Sequence, residues 1–235
     1  MPRATHAIIL AAGRGERLHP VTEQTPKPLV QVNGERMIDT IIRALRRNGI
    51  RDICVVVGYL LDQFAGLPEE YPGLTLLENP DWNTANNIGS LYHARDLLGD
   101  CVILDGDQII RDPEILNPEF DASCYCCFRA EGPTHEWLLT LENGMVTGCS
   151  RTGGSEGWEL HGVSFWTAED GEKLRKHLVS EYEVRNNRDL YWDDVALFCH
   201  PTDYQLTVRP ISRDALVEID NYQELVAADP SYQRI

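Results

Sequence analysis

The sequence lacks several features that mark large classes of protein. No apolar run approaches the ~20 residues of a membrane-spanning helix, and there is no repeat, low-complexity segment or long linker. The seven cysteines are odd in number and lie mostly in apolar, strand-like runs, so we predict neither a zinc site nor a disulfide framework. Residues 1–6 lead into an apolar strand without a signal-peptide core. We therefore expect buried free thiols in a cytoplasmic protein.

Positive charge is also scarce. The chain has 37 Asp and Glu residues against 21 Lys and Arg residues, a formal net charge of −16. This balance argues against a protein that holds nucleic acid through its phosphates, and against binding to an anionic membrane surface. Any anionic ligand would need a locally basic site.

Apolar periodicity predicts one α/β domain over residues 1–235. Strands at 7–10, 52–57, 74–77 and 101–104 alternate with helical segments at 36–47, 60–65 and 87–98, the rhythm of a doubly wound parallel sheet. The second half adds predicted strands at 123–128, 137–141, 145–149, 160–166 and 205–208, and helices at 168–183 and 222–228. We therefore predict a Rossmann-like fold with a mixed, mostly parallel sheet flanked by helices and extra β-structure in the second half.

A loop of small residues follows the first strand. Residues 11–18 carry Gly13 and Gly15, and Arg14, Arg17 and Lys27 add positive charge nearby. Backbone N–H groups in such a loop can converge on an anion. A dinucleotide-binding fingerprint would need a third glycine where Leu18 stands, and a P-loop would need Gly-Lys-Ser/Thr. An ordinary strand-to-helix turn is the remaining alternative to a triphosphate site.

Two further polar groups follow predicted strands. Asp105 and Asp107 flank a glycine at the end of the 101–104 strand, where alternation points both carboxylates to one side. Mg²⁺ prefers such oxygen ligands, although Asp-Gly is also common in plain turns. Asn86, Asn87 and Ser90 cluster at a helix start, where they suit either the edge of a base or ordinary helix capping.

Two motifs together point to a family. The pattern G-x-G-x-R-L at 13–18, followed by T-P-K-P-L at 25–29, resembles the signature of nucleotidyltransferases, which join a nucleoside triphosphate to a phosphorylated small molecule. Over nearly its whole length the chain is similar to the bacterial CTP:phosphocholine cytidylyltransferases. The stretches that carry this resemblance are 7–29, 53–63, 86–92, 102–108, 134–137, 162–166, 189–193 and 218–220.

The resemblance implies a nucleotide site mainly in residues 1–120, with CTP as the nucleotide. Lys27 and Arg17 would be catalytic, and Asp107 and Asp193 would bind Mg²⁺. The nucleotide-binding residues that it implies are Leu10, Ala11, Ala12, Gly13, Gly15, Arg17, Lys27, Asn87, Gly89, Ser90 and Asp105.

The resemblance places the acceptor, phosphocholine, mainly in residues 121–235. Trp137 and Tyr191 would surround its trimethylammonium group, with Arg129 at its phosphate. A quaternary ammonium cannot donate hydrogen bonds, so aromatic faces and nearby acids recognise it. Trp192, Glu136 and Glu218 complete the predicted acceptor site.

Other functions stay open on the sequence. The acceptor could be 2-aminoethylphosphonate, phosphoethanolamine or a sugar 1-phosphate, and the chain could be a non-catalytic nucleotide-binding module. A homodimer is also left open. The expected reaction needs little proton transfer, because a phosphate dianion is already a nucleophile, and we assign no catalytic His or Cys.

Overall fold

The structure is a computed structural model that describes residues 1–234; residue 235, the last of the predicted domain, lies outside the described residues. The strands are β1 His6–Ala11, β2 Gln31–Val32, β3 Glu35–Arg36, β4 Asp52–Val57, β5 Leu74–Glu78, β6 Cys101–Asp105, β7 Gln108–Ile110, β8 Cys124–Arg129, β9 Leu138–Glu142, β10 Met145–Ser150, β11 Trp158–Trp166, β12 Thr207–Pro210 and β13 Leu216–Glu218. The α-helices are α1 Met37–Arg47, α2 Leu67–Glu70, α3 Asn87–His93, α4 Ala168–Val179, α5 Trp192–Asp194 and α6 Tyr222–Ala228.

One nine-stranded sheet contains strands from both halves of the chain. Its main path is β10-β9-β11-β6-β1-β4-β5, and β8 pairs with both β11 and β12. The block β6-β1-β4-β5 is parallel, whereas β11 runs antiparallel to β6, β8 and β9. The predicted fold class, a mixed sheet with a parallel centre and added β-structure from the second half, is confirmed.

The sheet has an apolar layer on each face. In β1, Ile9 packs on the side of α1, and Ile8 and Leu10 pack on the side of α3 and α4. Because β1 is covered on both faces, its sequence is continuously apolar rather than alternating. The second layer also contains the large aromatic residue Trp166, which is fully buried.

Four predicted elements differ most from the structure. The helix expected at 87–98 ends at His93, and a 3-10 turn follows at Arg95–Leu97. The helix expected at 60–65 is a 3-10 turn, Leu61–Phe64, because Leu60 has a φ of 50° that no helix can include. The strand expected at 205–208 lies at Thr207–Pro210, where it pairs in parallel with β8. The helix expected at 168–183 is α4 continued by a π-turn, Ser180–Val184.

The parallel centre of the sheet determines where a ligand can lie. β1 and β6 are neighbours in register, with Leu10 opposite Asp105, so their carboxyl ends meet at one edge. Open α/β sheets bind ligands at such an edge. Among residues 1–234, no helix combines the length and apolar character that crossing a membrane requires.

Candidate active site

A cavity of about 830 Å³ lies at the carboxyl ends of β1 and β6. Its wall combines the loop after β1, the start of α3, β11, and the loops around Trp137 and Tyr191. Most of the predicted site residues line it. They are Leu10, Ala11, Ala12, Gly13, Gly15, Arg17, Lys27, Asn87, Ser90, Asp105, Asp107, Glu136, Trp137, Tyr191, Asp193 and Glu218.

The loop after β1 is held in place by its backbone. The carbonyl of Ala12 accepts a hydrogen bond from the N–H of Tyr59 at 3.0 Å, and the carbonyl of Gly15 accepts one from the Thr22 hydroxyl at 2.8 Å. Gly15 has a φ of 64°, and a Cβ there would lie 3.0 Å from the Cβ of Lys27. Glycine at this position therefore permits both the turn and the close approach of Lys27.

Lys27 brings a buried positive charge to the cavity. Its side chain is 8% exposed, and its Nζ lies 2.6 Å from Asp107 Oδ2 and 3.4 Å from Asp220 Oδ1. Burial alone would lower the pKa of Lys27, but the charge and hydrogen bond of Asp107, together with Asp220, outweigh it and raise the pKa. Arg17 Nη2 also contacts Asp220, at 2.9 Å. Asp220 thus joins the two predicted catalytic cations.

Several carboxylates lie close together near Lys27. Burial, followed by the charges of Asp107 and Asp193, raises the pKa of Asp105 well above its usual value. Burial likewise raises the pKa of Asp193 to about 8. It also raises the pKa of Glu218, against the opposing hydrogen bond from His161. So many acids in one buried place are costly unless a cation joins them.

The carboxylate set fits a hard divalent cation such as Mg²⁺. Carboxylate oxygens of Asp107, Glu218 and Asp220 lie within 4.8 Å of one another. The buried Asp107 Oδ1 and Asp193 Oδ1 have no hydrogen-bond partner in the described chain, so each can serve as a metal ligand. Asp193 is not part of the group of carboxylate oxygens that lie within 4.8 Å of one another. The binding of Mg²⁺ by Asp107 and Asp193 therefore stays a prediction.

An aromatic pair forms the far end of the cavity. The rings of Trp137 and Tyr191 meet edge to face, with centroids 5.6 Å apart and an interplanar angle of 82°. Tyr191 is 49% exposed, and Glu136 lies beside the pair on the cavity wall. Arg151 also lines this end, with its guanidinium carbon 5.5 Å from the Trp137 ring centroid. The cavity thus has a cationic, acid-rich end and an aromatic end.

Known proteins share this architecture. The nucleotidyl transferase family model matches residues 6–118. A 2-aminoethylphosphonate cytidylyltransferase of Lancefieldella rimae is 38% identical over 231 residues, which cover 97% of this chain and 93% of that protein. A choline-phosphate cytidylyltransferase of Streptococcus pneumoniae is 35% identical over 218 residues, covering 93% of this chain and 94% of that protein. The chain belongs to the cytidylyltransferases of the nucleotidyltransferase family.

A solved structure extends this likeness to three dimensions. The CTP:phosphocholine cytidylyltransferase of Streptococcus pneumoniae matches this cytidylyltransferase with a TM-score of 0.89 at 34% identity. The match covers 96% of this chain and 98% of that one. Both halves of the sheet and both ends of the cavity therefore fall within the shared fold.

The structure corrects the placement of Trp192. Its side chain is 1% exposed and packs against Tyr125 and Trp166, with ring centroids 6.2 Å and 5.9 Å away. Tyr191 is extended and α5 begins at Trp192, so the helical turn carries the indole away from the cavity. Only its backbone serves the site, because its N–H donates to Asn87 Oδ1 at 2.8 Å.

Gly89 and Arg129 do not line the cavity either. Gly89 lies in α3 where a Cβ would meet Ala85 and the Tyr182 hydroxyl, at 3.2 and 3.3 Å, so it serves packing. Arg129 ends β8, and its guanidinium carbon lies 5.3 Å from the Trp158 ring centroid. Neither Arg129 nor Trp158 lines the cavity, so the structure does not support the predicted contact of Arg129 with the acceptor phosphate.

Seven cavity residues of the described chain were missing from the predicted site. They are Glu16, Pro28, His135, Arg151, Leu160, Gly162 and Asp220. Asn86, for which base recognition and helix capping were both left open, also lines the cavity. For Asp220 the sequence held a signal, since it stands two residues after Glu218 in a stretch that supports the family resemblance. For Arg151 there was none, because the loop after β10 that carries it reaches the cavity only through tertiary packing.

Gly162 leaves the space that Asp105 occupies. A Cβ on Gly162 would overlap Asp105 Oδ2. We expect Gly162→Ala to displace this carboxylate and lower kcat/KM at least about tenfold, as measured by pyrophosphate release. Gly148→Ala is the matched control, because a Cβ there meets nothing within 4 Å. Equal activity of both variants, with unchanged thermal unfolding, would contradict a need for space at residue 162.

Proposed function

We propose that this cytidylyltransferase transfers CMP from CTP to a small acceptor that carries both a phosphorus oxyanion and a cationic amine. The observation that carries the proposal is the aromatic pair Trp137–Tyr191, set beside carboxylates and across one cavity from the loop after β1. Aromatic faces attract a desolvated ammonium group, while the loop and Lys27 suit a triphosphate.

The two ends of the cavity support an in-line transfer. An oxygen of the acceptor oxyanion attacks the α-phosphorus of CTP, the bond to the β-phosphate oxygen breaks, and pyrophosphate leaves. Positioning and charge neutralisation supply the catalysis, since the nucleophile needs no deprotonation. Because its pKa is raised, Lys27 stays protonated. Its ammonium group can transfer its hydrogen bonds from Asp107 and Asp220 to phosphate oxygens.

Mg²⁺ is the expected cofactor. When bound by Asp107 and Asp193, it would add positive charge beside the triphosphate and stabilise the departing pyrophosphate. Glu218 and Asp220 are near enough to Asp107 to serve the same cation.

Choline phosphate is the first candidate acceptor. Its quaternary ammonium is recognised by aromatic faces and nearby acids without donating a hydrogen bond. Trp137, Tyr191 and Glu136 provide that environment.

2-Aminoethylphosphonate is the second candidate. The Lancefieldella rimae relative bears that name at 38% identity. Because Trp192 is buried in the core, only two of the three expected aromatic residues line the cavity, and a primary ammonium could donate hydrogen bonds to the carboxylates there.

The test is pyrophosphate release over a grid of four NTPs and four acceptors: choline phosphate, 2-aminoethylphosphonate, phosphoethanolamine and glucose 1-phosphate. We expect turnover with CTP and an aminated acceptor. A preference for glucose 1-phosphate would replace the proposal, and no release with any pair would favour a nucleotide-binding module.

Lys27 should act mainly on the chemical step. We expect Lys27→Met to lower kcat at least about tenfold, or about 1.4 kcal/mol of transition-state stabilisation. Lys176→Met is the control, since Lys176 is exposed and pairs only with Glu172 in the described chain. A rise in KM for CTP with normal kcat would instead assign Lys27 to ground-state binding.

Trp137 should contribute to the binding of choline phosphate. Trp137→Leu keeps an apolar wall but removes the ring face, so KM for choline phosphate should rise about ten- to thirtyfold, on the order of 1–2 kcal/mol. KM for CTP should be unchanged. Trp158→Leu, which alters a half-buried indole outside the cavity, should leave both constants unchanged. Unaltered choline phosphate kinetics in Trp137→Leu would remove the aromatic basis for that acceptor.

A further inference from the structure

The cavity must hold two anions with few cations. Among the described residues, the lysine and arginine side chains that line it are Arg17, Lys27 and Arg151. Arg17 and Lys27 both contact Asp220, at the end of the cavity that suits the triphosphate. Arg129, the predicted partner of the acceptor phosphate, lies outside. Arg151 is therefore the cation left at the aromatic end.

Arg151 is held rigidly by one buried acid. Its Nε donates to Asp194 Oδ1 at 3.0 Å, and its Nη2 donates to the same oxygen. The Asp194 side chain is 4% exposed, so the acid of this pair is shielded from solvent. The guanidinium carbon also lies 3.8 Å from the Phe198 ring centroid. Such stacking suits the flat guanidinium group.

The same acid orients the aromatic wall. Asp194 Oδ2 accepts a hydrogen bond from the backbone N–H of Tyr191 at 2.8 Å. Asp194 therefore links Arg151 directly to the loop that presents Tyr191. The position of the guanidinium and the position of the ring that faces the amine are fixed together.

Arg151 keeps donors free for a ligand. Its side chain is 46% exposed, and Nη1 makes no hydrogen bond within the described chain. A guanidinium has five N–H donors in a planar fork that matches two oxygens of a phosphate or phosphonate. A cation beside the amine end would repel the acceptor unless an anionic group of the same molecule lay against it. In both candidate acceptors a short two-carbon chain separates the amine from the phosphorus group, so the oxyanion must lie near the aromatic pair.

We infer that Arg151 binds the phosphorus oxyanion of the acceptor, a phosphate monoester or phosphonate dianion, and that Asp194 positions it. This inference rests on the proposed function and names the residue that recognises the second substrate.

The first test compares two arginines. Arg151→Met should raise KM for choline phosphate and for 2-aminoethylphosphonate at least about tenfold, while KM for CTP stays within about twofold. Arg129→Met, at an arginine outside the cavity, should leave all three constants unchanged. Arg151→Lys keeps the positive charge but loses the planar guanidinium, so its KM for each acceptor should lie between the values of the wild type and of Arg151→Met. The same comparison with the wild type remains possible if Arg151→Met folds poorly.

The second test divides the acceptor into its two charged parts. Methylphosphonate carries the oxyanion without the amine, and tetramethylammonium carries the cation without the oxyanion. Arg151→Met should weaken competitive inhibition by methylphosphonate and spare inhibition by tetramethylammonium. In the double variant with Asp194→Asn, inhibition by methylphosphonate should be no weaker than in Arg151→Met alone, because the Arg151–Asp194 pair is already broken there. Any added loss with tetramethylammonium would report the separate contact of Asp194 with the Tyr191 N–H.

The outcomes separate this inference from the proposed function. If the wild type releases no pyrophosphate from CTP with either aminated acceptor, the proposed function fails. If the wild type is active and Arg151→Met keeps its acceptor KM within about threefold, only the assignment of Arg151 is overturned. An equal loss in Arg129→Met would overturn it as well.

Discussion

The ion pairs of Lys27 are the interaction on which the rest of the site depends. A buried ammonium group is stable only with close partners, and Asp107 and Asp220 supply them at 2.6 and 3.4 Å. These acids come from the loop after β6 and from the residues after β13. One side chain therefore fixes three segments that are distant in sequence around the carboxyl end of β1. The cost of burying the carboxylates is offset partly by Lys27, and further by any cation that the cavity receives.

The sheet explains why these acids meet. Parallel strands bring their carboxyl ends to one edge, so Asp105 and Asp107 emerge beside the loop after β1. β11 then runs antiparallel along β6, and Gly162 leaves room for the Asp105 carboxylate. The antiparallel extension also brings Arg151, which directly follows β10, to the aromatic end. The second half of the chain thus completes a site that the first half begins.

Much of this could be predicted from the sequence, where local pattern decides the outcome. Continuous apolar runs identified β1, β4 and β6, and the glycine loop and Asp105-Gly106-Asp107 followed from their positions at strand ends. The prediction for Trp192 was wrong because Tyr191 is extended whereas Trp192 begins α5. This change of backbone conformation between neighbouring residues turns the Trp192 side chain away from the cavity. Arg129 was predicted at the acceptor phosphate and Arg151 was not predicted at all, because the position of each relative to the cavity depends on how β8 and the segment after β10 pack along the sheet.

Charge balance connects the two substrates. Among residues 1–234, and with no metal ion counted, the cavity has three basic side chains, Arg17, Lys27 and Arg151, and seven acidic ones: Glu16, Asp105, Asp107, Glu136, Asp193, Glu218 and Asp220. A triphosphate would meet net repulsion in such a cavity unless positive charge came with it, which is the physical reason for expecting the nucleotide together with a divalent cation. At the aromatic end, the acceptor that we propose carries its own positive charge. Its amine can face Glu136 and the rings while its oxyanion faces Arg151, whereas a sugar phosphate has no cation and would leave Glu136 unpaired. The proposed preference for an aminated acceptor therefore rests on an acid of the cavity as well as on the aromatic rings.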